Sequence, residues 1–128
     1  MSKSSVLIVE DNAVFRKTLK SILMAKYPNV DVMEAENATQ TMDKIRTECP
    51  DLIFMDINLR LGNGLQLTEK IKSLFPDVLI FIITNYDSTE YRDAAEQSGA
   101  DGFFSKKSSS LSDLVKVVES IPSAKGSR

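Results

Sequence analysis

The run Leu52-Ile53-Phe54-Met55, which follows the turn signal Pro50-Asp51 and closes on Asp56, constrains the fold more than any other stretch. A continuous apolar run of this length reads as a strand buried on both faces, as in a parallel sheet. It leaves the core at a carboxylate. Two other runs have the same form: Val6-Leu7-Ile8-Val9 ends in Glu10-Asp11, and Val78 to Ile83 ends in Thr84-Asn85. In open α/β sheets ligand sites form outside the carboxyl ends of the strands, which makes these polar endings candidate site residues.

The segments between the runs have helical spacing. Asn12 caps a helix running to about Lys26, with Phe15, Leu19, Ile22 and Leu23 as its apolar stripe, and Tyr27-Pro28-Asn29 ends it. Val30 to Glu34 alternates apolar and acidic residues, which predicts a strand with one wetter face near a sheet edge. Asn37 caps a second helix, with Ala38, Met42 and Ile45 facing inward. A loop from Leu59 to Gly64 leads to a third helix, Leu65 to Leu74. Ser88 to Ser98 predicts a short polar helix with only Tyr91, Ala94 and Ala95 to bury, and hence the most mobile one. Phe103-Phe104-Ser105 is a short last strand ending in Lys106, and a final helix carries Leu111, Leu114, Val115, Val118 and Ile121 up to Pro122. Residues 1–122 then form one domain, and 123–128 read as a flexible tail or the start of a linker. Five strands alternating with five helices give (βα)5, a doubly wound parallel sheet with helices on both sides.

Composition narrows the chemistry. The chain has no histidine and a single cysteine, Cys49. The usual general base is therefore missing, an internal disulfide is excluded, and any metal must be held by oxygen, which points to Mg²⁺ or a similar hard cation. A net charge of −2 gives no general attraction to nucleic acid or anionic membrane. No apolar run approaches a membrane span, and Met1 to Ser5 lacks the apolar core of a signal peptide, so a cytoplasmic setting is the simplest expectation.

In one parallel sheet the ends carrying Glu10-Asp11, Asp56, Thr84 and Lys106 lie on the same edge and can converge. Three crowded carboxylates repel one another, and a divalent cation would offset that repulsion. A lysine suits a carboxylate or phosphoryl oxygen, and a threonine hydroxyl is a rotatable donor. These parts match phosphoryl transfer, in which positioning and charge neutralisation dominate and an aspartate can form an aspartyl phosphate.

Val6-Leu7-Ile8-Val9-Glu10-Asp11-Asn12, Asp56 with Gly64 following, Thr84, and Gly99-Ala100-Asp101-Gly102-Phe103 leading to Lys106 together resemble a response-regulator receiver domain, from about Lys3 to Ile121. The resemblance implies a flavodoxin-like fold with strand order 2-1-3-4-5. It implies that Asp56 accepts a phosphoryl group from a histidine kinase or phosphotransfer protein. Glu10, Asp11, Asp56 and the backbone carbonyl of Asn58 would hold Mg²⁺, and Thr84 and Lys106 would contact the phosphoryl oxygens. Thr84 and Phe103 would form the switch, and the face of the fourth helix, fifth strand and fifth helix would control an output partner or appended effector domain, with a phosphorylation-dependent homodimer as one outcome. Asn58, Asn85 and Tyr86 stand where the family tunes access and hydrolysis. Such a domain catalyses only its own phosphorylation and slow dephosphorylation.

Several positions depart from the pattern. Glu10-Asp11 replaces the usual pair of aspartates and keeps the charge. Arg60 stands where the loop often has proline. Lys107 stands where proline usually follows the lysine, often across a cis bond; a cis bond before a non-proline residue costs ~3 kcal/mol, which leaves the form of this loop open.

Taken singly, each residue has a plainer reading: Asp11 or Asn12 as a helix cap, Thr84 as a turn residue, Lys106 as a solvated lysine, Phe103 as core. The competing function on the same fold is a receiver-like interaction module regulated without phosphorylation. An aspartate-nucleophile phosphatase would want a second Asp where Asn58 stands, and a flavin-binding protein would want a Gly/Ser/Thr-rich loop where Glu10-Asp11-Asn12 stands.

Overall fold

A computed structural model describes residues 4–59, 61–107 and 109–122. The expectations that concern Arg60 and the segment 123–128 lie outside the described residues. The strands are β1 (Ser5–Val9), β2 (Asp31–Ala35), β3 (Leu52–Asp56), β4 (Leu79–Thr84) and β5 (Gly102–Ser105). The helices are α1 (Ala13–Lys26), α2 (Ala38–Thr47), α3 (Gly64–Leu74), α4 (Thr89–Gln97) and α5 (Leu111–Leu114), the last continuing as a 3-10 helix over Val115–Ser120. All five strands are parallel in the order β2-β1-β3-β4-β5, the flavodoxin-like arrangement.

Alternation along the strands divides the core between the two faces. Leu7, Val9, Ile53, Met55, Ile80 and Ile82 pack with Met42, Ile45, Leu67, Ile71 and Ala95 of α2, α3 and α4. Val6, Ile8, Leu52, Phe54, Phe81 and Ile83 pack with Leu19 and Leu23 of α1 and with Leu114, Val115 and Val118. Both faces of β1 and β3 are fully covered, which is why their sequences are apolar without alternation. The half-exposed β2 lies at an edge. Asn12 and Asn37 cap α1 and α2, their side chains accepting from the backbone N–H groups of Phe15 and Gln40 at 3.0 and 2.8 Å.

The structure differs from the expectations in three places and resolves the form of the loop after Lys106, which the sequence leaves open. The Leu59–Gly64 loop contains a small antiparallel pairing of Asn58–Leu59 with Gly62–Asn63, and Leu61 near its tip has φ 57°, a left-handed conformation uncommon for a side chain of this size. The final helix keeps its inward residues but turns from α to 3-10 at Val115. Val115, Val117 and Val118 are stiff, β-branched and poor helix formers, which weakens a regular α-helix there. Tyr91 is not buried: at 37% exposure it stacks on Tyr86, ring centroids 5.3 Å apart, leaving Ala95 as the buried residue of α4. The Lys106–Lys107 peptide is trans. Its turn is closed instead by Ser105, whose hydroxyl accepts from the N–H of Lys107 at 3.2 Å and whose carbonyl accepts from Ser109 at 3.0 Å.

The start of α3 sits directly on the end of β3. The Gly64 N–H donates to the Ile57 carbonyl at 2.7 Å, and a Cβ on Gly64 would stand 1.9 Å from the carbonyl oxygen of Asp56. Only glycine allows that approach without moving one backbone away from the other. Gly64→Ala is therefore expected to lower stability by about 3 kcal/mol, or roughly 10 °C in Tm by thermal unfolding. An unchanged Tm would mean that α3 can retreat from β3 without cost.

Candidate functional site

Strand register brings the site together. Val9 is level with Met55, so Glu10 and Asp56 follow side by side on adjacent strands. Asp56 is level with Ile83, and Thr84 with Ser105, which places Thr84 and Lys106 one step beyond. Glu10, Asp11, Asn12, Asp56, Asn58, Thr84, Asn85, Tyr86 and Lys106 line one pocket of about 210 Å³ at this edge. Every residue expected in the site is there except Phe103, which lies on β5 toward α4, with the Arg92 guanidinium 4.7 Å from its ring centre.

The pocket concentrates opposite charges in a nearly dry place. Glu10 is completely buried and Asp56 is 6% exposed. Carboxylate oxygens of Glu10, Asp11 and Asp56 lie within 4.8 Å of one another. Lys106 Nζ is 2.5 Å from Glu10 Oε1 and 3.7 Å from Asp56 Oδ2. The other Glu10 oxygen accepts from the Asn12 N–H at 3.0 Å. The Lys106 ammonium also stands 4.4 Å from the centre of the Phe15 ring, whose face attracts a cation. Thr84 is fully buried, its hydroxyl oxygen accepting from the Tyr86 N–H at 3.1 Å and its carbonyl from the Lys106 N–H at 2.8 Å. An all-oxygen set with three carboxylates fits a hard divalent cation.

Burial, and then the adjacent Glu10 charge, push the Asp56 carboxyl up to about 7, against the pull of Lys106. Before any cation enters, the acid cluster is therefore under electrostatic tension.

Sequence reasoning missed the supports of the site. Arg16 is buried within the α1 stripe, its Nη1 donating to the Glu10 carbonyl and its Nε to Glu34 Oε1, each at 2.8 Å. The available signal was a charged residue at helical spacing from Leu19 and Leu23. Phe15 has the spacing of a core residue, and its place under Lys106 has no signature in the local pattern.

The family model described as response regulator receiver domain matches residues 6–119. The chain belongs to the response regulator receiver family. Receivers of this family are parts of two-component response regulators; phosphorylation at an aspartate and Mg²⁺ binding in an acidic pocket are general features, as is interaction with histidine kinases and output domains. Among the relatives, the transcriptional regulatory protein DegU of Brevibacillus brevis is 32% identical over 91% of this chain and 50% of its own. The chain spans about half the length of several curated relatives. A CheY-like receiver from Methanospirillum hungatei superimposes with TM-score 0.83 at 28% identity, covering 93% of each chain. A Burkholderia pseudomallei response regulator, solved with a phosphorylated aspartic acid, a calcium ion and citrate, has TM-score 0.78 at 25% identity, covering 91% of this chain and 71% of that one. No helix among the described residues of this receiver is long and apolar enough to cross a membrane.

A raised carboxyl has a defined consequence for stability. Below its ordinary value of 3.8, Asp56 is protonated whether the chain is folded or not, and its burial carries no charge penalty. As pH rises from about 4 toward 7 the unfolded chain loses that proton first, so stability falls across this window. Without divalent cations, Asp56→Asn is expected to stabilise the receiver at pH 8 by on the order of 2 kcal/mol and much less at pH 5. Chemical denaturation at the two pH values checks this; equal effects would contradict the assignment of the tension to Asp56.

Proposed function

We propose that this receiver takes a phosphoryl group on Asp56 from the phosphohistidine of a sensor kinase or phosphotransfer protein in the cytoplasm. The observation that carries the reading is the joint placement of Asp56 beside Glu10 and Asp11 and within 3.7 Å of the Lys106 ammonium, in one pocket with Thr84. A carboxylate oxygen of Asp56 attacks phosphorus, a P–O bond forms, and the P–N bond to the donor imidazole breaks. Lys106 and the Thr84 hydroxyl stand ready to receive the phosphoryl oxygens. Glu10, Asp11, Asp56 and the Asn58 carbonyl are the groups to hold Mg²⁺, which when bound neutralises charge on the acids and on the phosphoryl oxygens. The phosphorylated aspartate and the calcium ion in the Burkholderia relative support this reading.

Thr84 lies on β4 and Phe103 on β5, so a change at the Thr84 hydroxyl has a short path to α4, whose single buried residue, Ala95, anchors it lightly. We infer that the α4–β5–α5 face signals to an output partner or an appended domain. The transcriptional regulators among the relatives favour an output of that kind.

Incubation with Mg²⁺ and acetyl phosphate, read by intact mass, is expected to add one phosphate to the parent and none to Asp56→Asn. Absence of the adduct in the parent would move the reading to an interaction module regulated without phosphorylation. Asn58 and Tyr86 line the pocket with exposed side chains. Asn58→Lys and Tyr86→Ala are each expected to change the lifetime of the acyl phosphate several-fold while leaving its formation intact, and decay rates equal to the parent would refute that role.

A further inference from the structure

Asp11 is the least enclosed member of the acid cluster, and one peptide group joins it to the buried Glu10. That peptide is planar, so fixing the Glu10 carbonyl also fixes the Asp11 N–H and the position of the Asp11 Cα, from which the side chain starts. The Glu10 N–H is already committed to the Ala35 carbonyl on β2 at 3.0 Å. The Glu10 carbonyl receives Arg16 Nη1 at 2.8 Å.

Arg16 is itself held. It is 7% exposed, and a guanidinium so enclosed needs full pairing. Its Nε donates to Glu34 Oε1 at 2.8 Å, and Glu34 sits on β2 level with Ile8. Lys17 and Lys20 bind the same carboxylate at about 3.0 Å. Burial alone would raise Glu34, but the hydrogen bonds from Arg16, Lys20 and Lys17 outweigh it and hold the carboxyl at about 2, so Glu34 stays ionised through the neutral range. The planar fork of Arg16 spans from this anchor to the Glu10 carbonyl, a reach in two fixed directions that a lysine cannot reproduce.

We propose that Arg16 is a positioning residue for divalent cation binding: by clamping the Glu10 carbonyl against Glu34 of β2 it fixes the Glu10–Asp11 peptide, and so sets the affinity of the acid cluster for Mg²⁺. The proposal rests on the cluster being the cation site. Partners one step removed from metal ligands commonly change affinity by roughly tenfold or more when lost, and that is the scale expected here.

The test is a Mg²⁺ titration followed through amide spectra, with no phosphoryl donor present, on the parent and on Arg16→Met, Arg16→Lys, Glu34→Gln and Lys17→Met, each at a temperature where circular dichroism shows it folded. Arg16→Met is expected to raise the Mg²⁺ Kd roughly tenfold, and Arg16→Lys and Glu34→Gln by a smaller factor in the same direction. Lys17→Met removes a partner of Glu34 without touching Glu10, and its Kd should match the parent's even if its Tm falls. Should Arg16→Met fail to fold, Arg16→Lys and Glu34→Gln decide. A Kd equal to the parent's in folded Arg16 variants would overturn the proposal, as would a loss of affinity in Lys17→Met equal to theirs. A parent whose spectrum ignores Mg²⁺ would instead remove the cation site itself.

Discussion

Parallel strands all leave a sheet at the same edge, and in this receiver that edge is where charge accumulates. β1 and β3 are neighbours in register, so Glu10 and Asp56 emerge together from a fully apolar interior, with Asp11 next in the chain. Carboxylates that close repel, and little solvent reaches Glu10 or Asp56 to screen them. The surroundings follow from that tension. Lys106 crosses from the end of β5 to Glu10, Asn12 turns its backbone N–H onto the same carboxylate, and Arg16 pins the carbonyl behind it. The tension is only partly relieved, as the raised Asp56 carboxyl shows. A cluster in that condition favours a cation and, with it, a transferred phosphoryl group.

The fold that creates the edge was legible because burial on both sides leaves a plain trace. Leu52 to Met55 and Val6 to Val9 are apolar at every position, and each is a strand within a residue of its expected bounds. β2 was legible for the opposite reason: its alternation marks an edge strand with one open face. Glu10, Asp56, Thr84 and Lys106 could be read because each ends or directly follows a strand, so topology alone gathers them. Phe103, inside β5 rather than at its end, has no such guarantee, and only the resemblance to the family links it to Thr84.

What was not legible depends on contacts between distant segments. The role of Gly64 comes from the backbone of β3 pressing on the start of α3, which no local spacing encodes. Tyr91 has the spacing of an inward residue with Ala94 and Ala95, yet its stacking partner Tyr86 lies in the preceding loop, and the pair stays at the surface. Arg16 and Glu34 each look like ordinary surface charges until α1 packs on β2. The 3-10 continuation of α5 shows local propensity adjusting the backbone while the spacing still sends Leu114, Val115, Val118 and Ile121 inward.

If charge at this one strand edge governs the conformation of the whole site, amide spectra recorded with Mg²⁺ and a beryllofluoride mimic of the phosphoryl group will register it. Shifts are expected at Asp11, Asp56, Asn58, Thr84 and Lys106, extending to Phe103 and α4 and lost in Asp56→Asn. Spectra unchanged by both additions, or changes that persist in Asp56→Asn, would contradict it.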